Sequence, residues 1–252
     1  MNVTIISGVR IVAAPCCGAR YTVPRYLSVN FMASRYWTDG WREGSLMPND
    51  EGLRRCQCGR FVLMKALVKI GTAETSDLPD IDGLPDDLVP ECVAAADSED
   101  LEVAARLTYW RRLNHPYRQE YRQHRKVEEA ATKAAWEAAN PDRRTWWDRF
   151  RRHKPPGYTR PADSPFTFAA YEPTDEQRQN MKRLSELLLK RGVASRRGLG
   201  ALTLAELYRE QGRFDEAQGI IRSTGNDEEG SFGDLIAKLI QDKQPAPLCY
   251  RI

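Results

Sequence analysis

Through residue 71 the apolar positions fall in short runs with the period of strands. Val3–Ile6 and Val9–Val12 are rich in β-branched residues and are separated by Ser7-Gly8. Such side chains are stiff at χ1 and pack well on a pleated surface. Tyr21, Thr22 and Val23 continue the pattern across Pro24 to Val29. A proline inside such a run fits an edge strand or a bulge, because it gives no N–H to a ladder. Asp39-Gly40, between Tyr36-Trp37 and Trp41, carries the signal of a type I′ hairpin turn. Residues 44–52 read as loop. Phe61–Ile70 is mostly apolar and reads either as a strand or as a short helix from Leu63.

After residue 97 the period becomes helical. Leu101, Ala104, Ala105, Leu107 and Thr108 lie at helical spacing behind Asp97-Ser98, either of which can cap a helix running to about Leu113. Tyr117–Ala139 reads as a long Ala-rich helix ended by Asn140-Pro141, and Pro141 opens a short helix carrying Trp146, Trp147 and Phe150. Five prolines make residues 153–173 an irregular strap. Thr174-Asp-Glu-Gln177 is a capping box opening a helix that stops at Gly192. Leu202–Glu210 and Phe214–Ser223 form a helical hairpin about Gln211-Gly212, and Phe232–Gln241 is the last helix. The expected fold class is α+β. A β-rich module over 1–71 precedes an acidic linker over 72–97, where a short helical turn fits Asp86–Ala96, and a helical domain over 98–252 follows.

Composition leaves this picture intact. A chain of 252 residues that is 41% hydrophobic and 29% charged is long enough for a real core and one or two domains. No stretch reaches the roughly 20 apolar residues of a membrane span. The N-terminus lacks the basic start of a signal peptide. A cytoplasmic location is expected, and reduced thiols there favour metal binding over disulfides.

Charge adds more. The net charge of +3 conceals eleven acids and no Lys or Arg over 72–104, followed by fifteen basic residues against six acids over 105–160. The blocks can neutralise each other within the chain, or the basic one can meet an external polyanion. Arg111, Arg112, Arg122 and Arg125, with Trp146 and Trp147, interleave guanidiniums with aromatics. That mixture can bind phosphates and stack on bases, and it is also the pattern of an amphipathic helix with solvated arginines.

The chemistry-bearing feature is two tight cysteine pairs, Cys16-Cys17 in PCCGARY and Cys56 and Cys58 in RRCQCGRF. Each ends in Cys-Gly, and 38 residues separate them. Four thiolates from two knuckles suit one tetrahedral metal, zinc above all, with structural rather than catalytic character because no position stays open for water. The spacings C-C and C-x-C are tighter than the usual C-x-x-C, so Cys17 is the easier ligand and Cys16 the harder one. The competing reading is a ribbon of packed thiols without metal. Cys92 and Cys249 lie apart and read as buried or incidental thiols.

CCGARYTVP, YWTDGW, GSLMPNDEG and RRCQCGRF together resemble the small zinc-ribbon-like N-terminal segments of uncharacterised bacterial proteins. Ala14 stands where a first knuckle cysteine falls in that pattern, and the second knuckle is one residue short. The resemblance covers about 70 residues and implies a structural metal but no activity. LAELYREQGRFDEAQGII, residues 204–221, resembles the middle of one tetratricopeptide repeat through Leu204, Ala205, Tyr208, Gly212, Phe214 and Ala217. An ordinary helical hairpin reaches the same packing solution, and a solenoid needs about three repeats.

No phosphate-binding loop, dinucleotide fingerprint, H-E-x-x-H or G-x-S-x-G is present. The best candidate for an enzyme site is Asp39, an acid between Trp37 and Trp41, and the hairpin turn is the stronger explanation of it. The expectation is therefore a protein that is not an enzyme: a protein–protein interaction protein with a structural zinc, such as an adaptor or an immunity protein that masks a bacterial toxin. The alternative is a nucleic-acid-binding protein using the zinc module and the Arg/aromatic helices.

Overall fold

The computed structural model describes residues 5–28, 33–44, 51–141, 150, 157–159, 171–193, 198–224 and 232–250. It is α+β, with small antiparallel sheets toward the N-terminus and helices after them. Two compact units are present. One combines residues 1–113 with 170–252, and the other is residues 114–169. Trp146 and Trp147, and most of the strap, lie outside the described residues.

In the larger unit, strands β1 (Ile5–Ala13) and β2 (Arg20–Ser28) form an antiparallel hairpin, and β7 (Val68–Ala73) pairs with the other side of β1. The expected break at Ser7-Gly8 is a pair of register shifts within one continuous strand. Pro24 sits in β2, an outer strand of this sheet, where the missing N–H costs no ladder bond. A second hairpin joins β5 (Leu53–Arg55) to β6 (Phe61–Leu63). Phe61–Ile70 is neither wholly strand nor helix: β6, a 3₁₀ turn at Met64–Ala66 and the start of β7 share it.

The third hairpin is β3 (Arg35–Trp37) with β4 (Arg42–Glu43). Its turn differs from the expected type I′. Gly40 alone has a positive φ, +80°. Gly40 N–H donates to Trp37 O at 2.9 Å, and Trp37 N–H to Trp41 O at 2.9 Å. That is a three-residue loop, a type I turn closed by a left-handed glycine. Asp39 then needs no left-handed conformation, and its Oδ1 accepts the Trp41 N–H at 2.9 Å. A third strand, β8 (Cys249–Tyr250), pairs with β3 from the far end of the chain.

The acidic segment departs from a linker. Ile81 and Leu84 are buried, and the chain bonds to both hairpins through Thr22 N–H to Pro79 O (2.8 Å), Ile81 N–H to Thr22 O (3.2 Å) and Leu84 N–H to Leu53 O (3.2 Å). A 3₁₀ turn at Asp86–Leu88 leads into α1 (Val89–Ala95), as the short helical turn anticipated. The units do not divide at 72–97. The reason is α2 (Glu99–Leu113), which is apolar on two sides. Leu101, Ala104 and Ala105 pack with Leu53, Phe61, Leu63, Val89 and Cys92. Val103 and Trp110 pack with the helices.

Those helices are α4 (Asp175–Lys190), α5 (Leu199–Glu210), α6 (Phe214–Thr224) and α7 (Phe232–Gln241). The capping box forms as expected: Gln177 N–H donates to Thr174 Oγ1 at 3.2 Å, and Thr174 N–H to Gln177 Oε1 at 2.8 Å. Met181, Leu184, Leu204, Ala205, Leu207, Ala217 and Ile236 are fully or almost fully buried in one core. Each fully buried large apolar side chain contributes about 1.5–3 kcal/mol. The smaller unit contains α3 (His115–Ala139), in which Arg125 pairs with Glu128 and stands over the Tyr121 ring at 5.0 Å. No described helix is long and apolar enough to cross a membrane.

Candidate metal centre

The two cysteine pairs occupy the tips of two hairpins. Cys16 and Cys17 lie in the turn between β1 and β2, closed by Ala14 N–H to Ala19 O (2.8 Å) and Gly18 N–H to Ala14 O (2.9 Å). Cys56 and Cys58 lie between β5 and β6, closed by Cys56 N–H to Arg60 O (2.8 Å) and Gly59 N–H to Cys56 O (2.8 Å). Gly18 and Gly59 have φ of +74° and +87°. A side chain at either position would strain the turn that presents the sulfurs.

The tips meet. Cys16 Sγ is 3.4 Å from Cys58 Sγ, Cys17 Sγ is 3.3 Å from Cys56 Sγ, and Cys16 Sγ is 4.0 Å from Cys17 Sγ. All four sulfurs lie within 4.8 Å of one another. A tetrahedral thiolate site with bonds of about 2.3 Å separates its sulfurs by about 3.8 Å. The four cysteines can therefore hold one metal ion, and the tight C-C spacing does not keep Cys16 away. Among the described residues no other group of three or more His, Cys, Asp or Glu side chains is gathered closely enough to do so.

The surroundings favour charge at one sulfur first. Burial opposes ionisation of Cys56, but the Cys58 backbone N–H, the Tyr21 hydroxyl and the neighbouring thiols outweigh it and bring Cys56 down to about 6. Cys16 is pushed up to about 12, by desolvation and then by the thiols around it. Without a counter-cation the cluster accommodates few negative charges, and these titrations belong to the group rather than to single residues. A divalent cation reverses that logic by deprotonating every thiol it binds.

Tyr21 is the residue beside the cysteines that strand reasoning missed. It is buried on β2, accepts the Gln57 N–H at 2.7 Å and directs its own hydroxyl toward Cys56 Sγ at 3.2 Å. A hydrogen bond to a ligating sulfur fixes its orientation. The available signal was the spacing, a tyrosine four residues after Cys17. Beneath the centre Val12, Ala14, Tyr21, Val23, Val62 and Ile81 form a small core with Cys56. Cys92 is buried elsewhere and Cys249 lies in β8, so neither joins the cluster.

A second polar cluster lies inside the helical part. Arg209 is fully buried and donates from Nε to Glu206 Oε2 at 2.7 Å, one helical turn back. It also donates to Gln244 O and reaches Thr38 Oγ1 at 3.4 Å. Glu210 Oε2 accepts from Trp110 Nε1 at 2.7 Å and from the Tyr171 hydroxyl at 2.9 Å. Burial, then the carboxylates of Glu206 and Asp39, push Glu210 up to about 8. The cluster ties α5 to the β3–β4 turn and to the segment before β8. A cavity of about 520 Å³ beside that turn is walled by Tyr36, Trp37, Trp41, Phe232 and Tyr250. Asp39 does not line it.

The arginines singled out in the sequence have intrachain partners. Arg111 pairs with Glu51 and donates from Nε to Asp39 O at 3.1 Å. Arg112 pairs with Asp86 at 2.9 Å and donates to Leu84 O and Pro85 O. Acidic and basic segments thus touch within the larger unit. Arg125 is buried and Arg122 half-buried, both on α3. Compared with protein-family models, with curated proteins and with solved structures, the chain matches none.

Proposed function

We propose that the protein binds one structural zinc ion through Cys16, Cys17, Cys56 and Cys58, and that it works by binding a protein partner rather than by catalysis. The observation that carries the zinc reading is the gathering of four sulfurs within 4.8 Å at the tips of two separate hairpins. An all-sulfur tetrahedral donor set selects zinc over harder cations, and four thiolates leave no coordination position for a reacting water. The ion would cross-link two hairpins whose shared apolar core is small, which is where a metal adds most to folding.

The partner reading draws on the helices. Leu204, Ala205, Tyr208 and Ala217 are buried where a tetratricopeptide repeat places its packing residues. Gly212 turns the hairpin with a φ of +73°. α4 and α7 flank the pair. A helical hairpin of this kind offers surface for protein recognition. An adaptor, or an immunity protein that masks a toxin, fits such an architecture.

The test is elemental analysis of protein purified without added metal, beside a Cys56→Ser/Cys58→Ser variant. About one zinc per chain, lost in the variant, is the expected result. Wild-type protein that carries no metal would overturn the zinc reading. For the partner reading, affinity capture with the full chain should return a protein at stoichiometric yield, and its absence from every growth condition tried would count against it.

A further inference from the structure

Each tip supplies two sulfurs, and close sulfur–sulfur contacts run between the tips. Cys17 lies 3.3 Å from Cys56 and Cys16 lies 3.4 Å from Cys58, whereas the neighbours Cys16 and Cys17 are 4.0 Å apart. Each cross-tip pair also joins unlike environments. Cys17 and Cys58 are exposed, Cys56 is buried and Cys16 is intermediate. We propose that the centre is an oxidation site, at which a peroxide converts the four thiolates into two cross-tip disulfides, Cys17–Cys56 and Cys16–Cys58, and so releases the metal.

The chemistry balances in two steps at each pair. An exposed thiolate, Cys17 or Cys58, attacks the peroxide oxygen. The O–O bond breaks, the sulfur is oxidised to a sulfenic acid, and hydroxide leaves. The inner partner, Cys56 or Cys16, then attacks that sulfenic sulfur, forms the S–S bond and expels a second hydroxide. Two peroxides thus take four electrons from four thiolates and yield two disulfides and four hydroxides. A zinc ion holding four thiolates carries a net charge of −2. Its release as a dication with four hydroxides conserves that charge.

The geometry favours this product over the neighbouring one. Closing a cross-tip pair to a bond of about 2.05 Å needs a movement of about 1.3 Å. The disulfides would join the same two hairpins that the metal joins, so the small core stays covered when the metal leaves. Cys92, buried beneath α2, has no sulfur partner of this kind and serves as an internal control. Release of metal rests on the zinc reading above, and the choice of sulfur partners does not.

The experiment uses the full chain, reduced and loaded with zinc, treated with about two equivalents of hydrogen peroxide. Free zinc is followed with a chromophoric chelator, and remaining thiols are alkylated after denaturation. Release of zinc with loss of four thiols, and with Cys92 still alkylated, is expected. Trypsin should yield residues 11–20 and 56–60 as one linked mass. Cys16→Ser should give Cys17–Cys56 with Cys58 alkylated. Cys17→Ser should give Cys16–Cys58 with Cys56 alkylated.

A Cys16–Cys17 disulfide, sulfinic or sulfonic acids, exchanged partners or unreacted thiols would each overturn the proposal. Should the purified protein hold no zinc, the zinc reading fails by itself. The disulfide map of the metal-free chain then still decides which sulfurs pair.

Discussion

Removing the Tyr21 hydroxyl probes the metal centre with the least disturbance to its frame. In Tyr21→Phe the ring remains to fill the core formed with Val12, Val23, Val62 and Ile81. Two hydrogen bonds go. The Gln57 N–H loses its acceptor, but Gln57 is exposed and water replaces the bond. The bond to Cys56 Sγ has no such replacement, because Cys56 is only 2% exposed. A hydrogen bond to a charged group contributes about 1.5–3 kcal/mol. At about 1.36 kcal/mol per decade that is roughly 10- to 150-fold in affinity, in line with the roughly 10- to 100-fold effects of groups behind metal ligands. Competition for zinc against a chromophoric chelator at fixed pH measures it, with far-UV circular dichroism to verify the fold. An affinity within twofold of wild type would refute the role assigned to Tyr21. Loss of folded structure even in excess zinc would show that the hydroxyl serves the fold instead of the metal.

Three further outcomes are expected. Arg209→Met leaves Glu206 buried without its partner and should cost about 3–5 kcal/mol by urea denaturation, while Arg209→Met/Glu206→Leu should recover most of that loss. Glu210 lies among Glu206, Asp39, Arg209 and Tyr171 and keeps its proton to about 8 in the fold, against an ordinary value of 4.5, so its contribution to stability should fall as pH rises from about 4.5 to about 8. Glu210→Gln should flatten that slope and melt higher than wild type at the alkaline end; parallel curves would exclude the assignment. Leu204→Ala, at a fully buried position in the helical core, should destabilise by about 2–5 kcal/mol, and a change under 1 kcal/mol would refute the packing described for α5.

Much of this fold was legible because its signals are local. The capping box at Thr174–Gln177, the cap at Ser98 and the bounds of Phe232–Gln241 are written in neighbouring residues and appear where the pattern puts them. What escaped depends on partners distant in sequence. Ile81 and Leu84 sit among acids and prolines, and only the hairpins they cover make them core residues. The linker reading failed on that, and on α2 having two apolar faces with one helical period. The turn at residues 38–40 lies where Asp39-Gly40 puts it but is of a different type, since one residue of loop length separates type I′ from type I with a left-handed glycine. At the metal centre the four cysteines were legible from their clustering. The close contacts between the tips, and the hydroxyl of Tyr21, were not, because spacing says which residues share a turn and not which sulfur faces which. The buried cluster about Arg209 had no signal: charged residues such as Glu206, Arg209 and Glu210 carry no mark of burial in the sequence.

Strand β8 bears on the order in which the parts of the fold can form. The sulfurs of the metal centre are all made by residue 58, at most 42 positions apart in sequence. The hairpin at residues 35–43, however, waits for Cys249 and Tyr250 to supply its third strand, for Leu248 N–H to reach Thr38 Oγ1, and for Gln244 O to receive Arg209. At a synthesis rate of about 5–20 residues per second, some 10–40 s separate the two events. Through that interval Trp37 lacks its pairing with Cys249, while the four cysteines of the two tips are already in place. The nascent chain therefore has its cysteine cluster early, and a hairpin whose third strand comes only with residues 249–250.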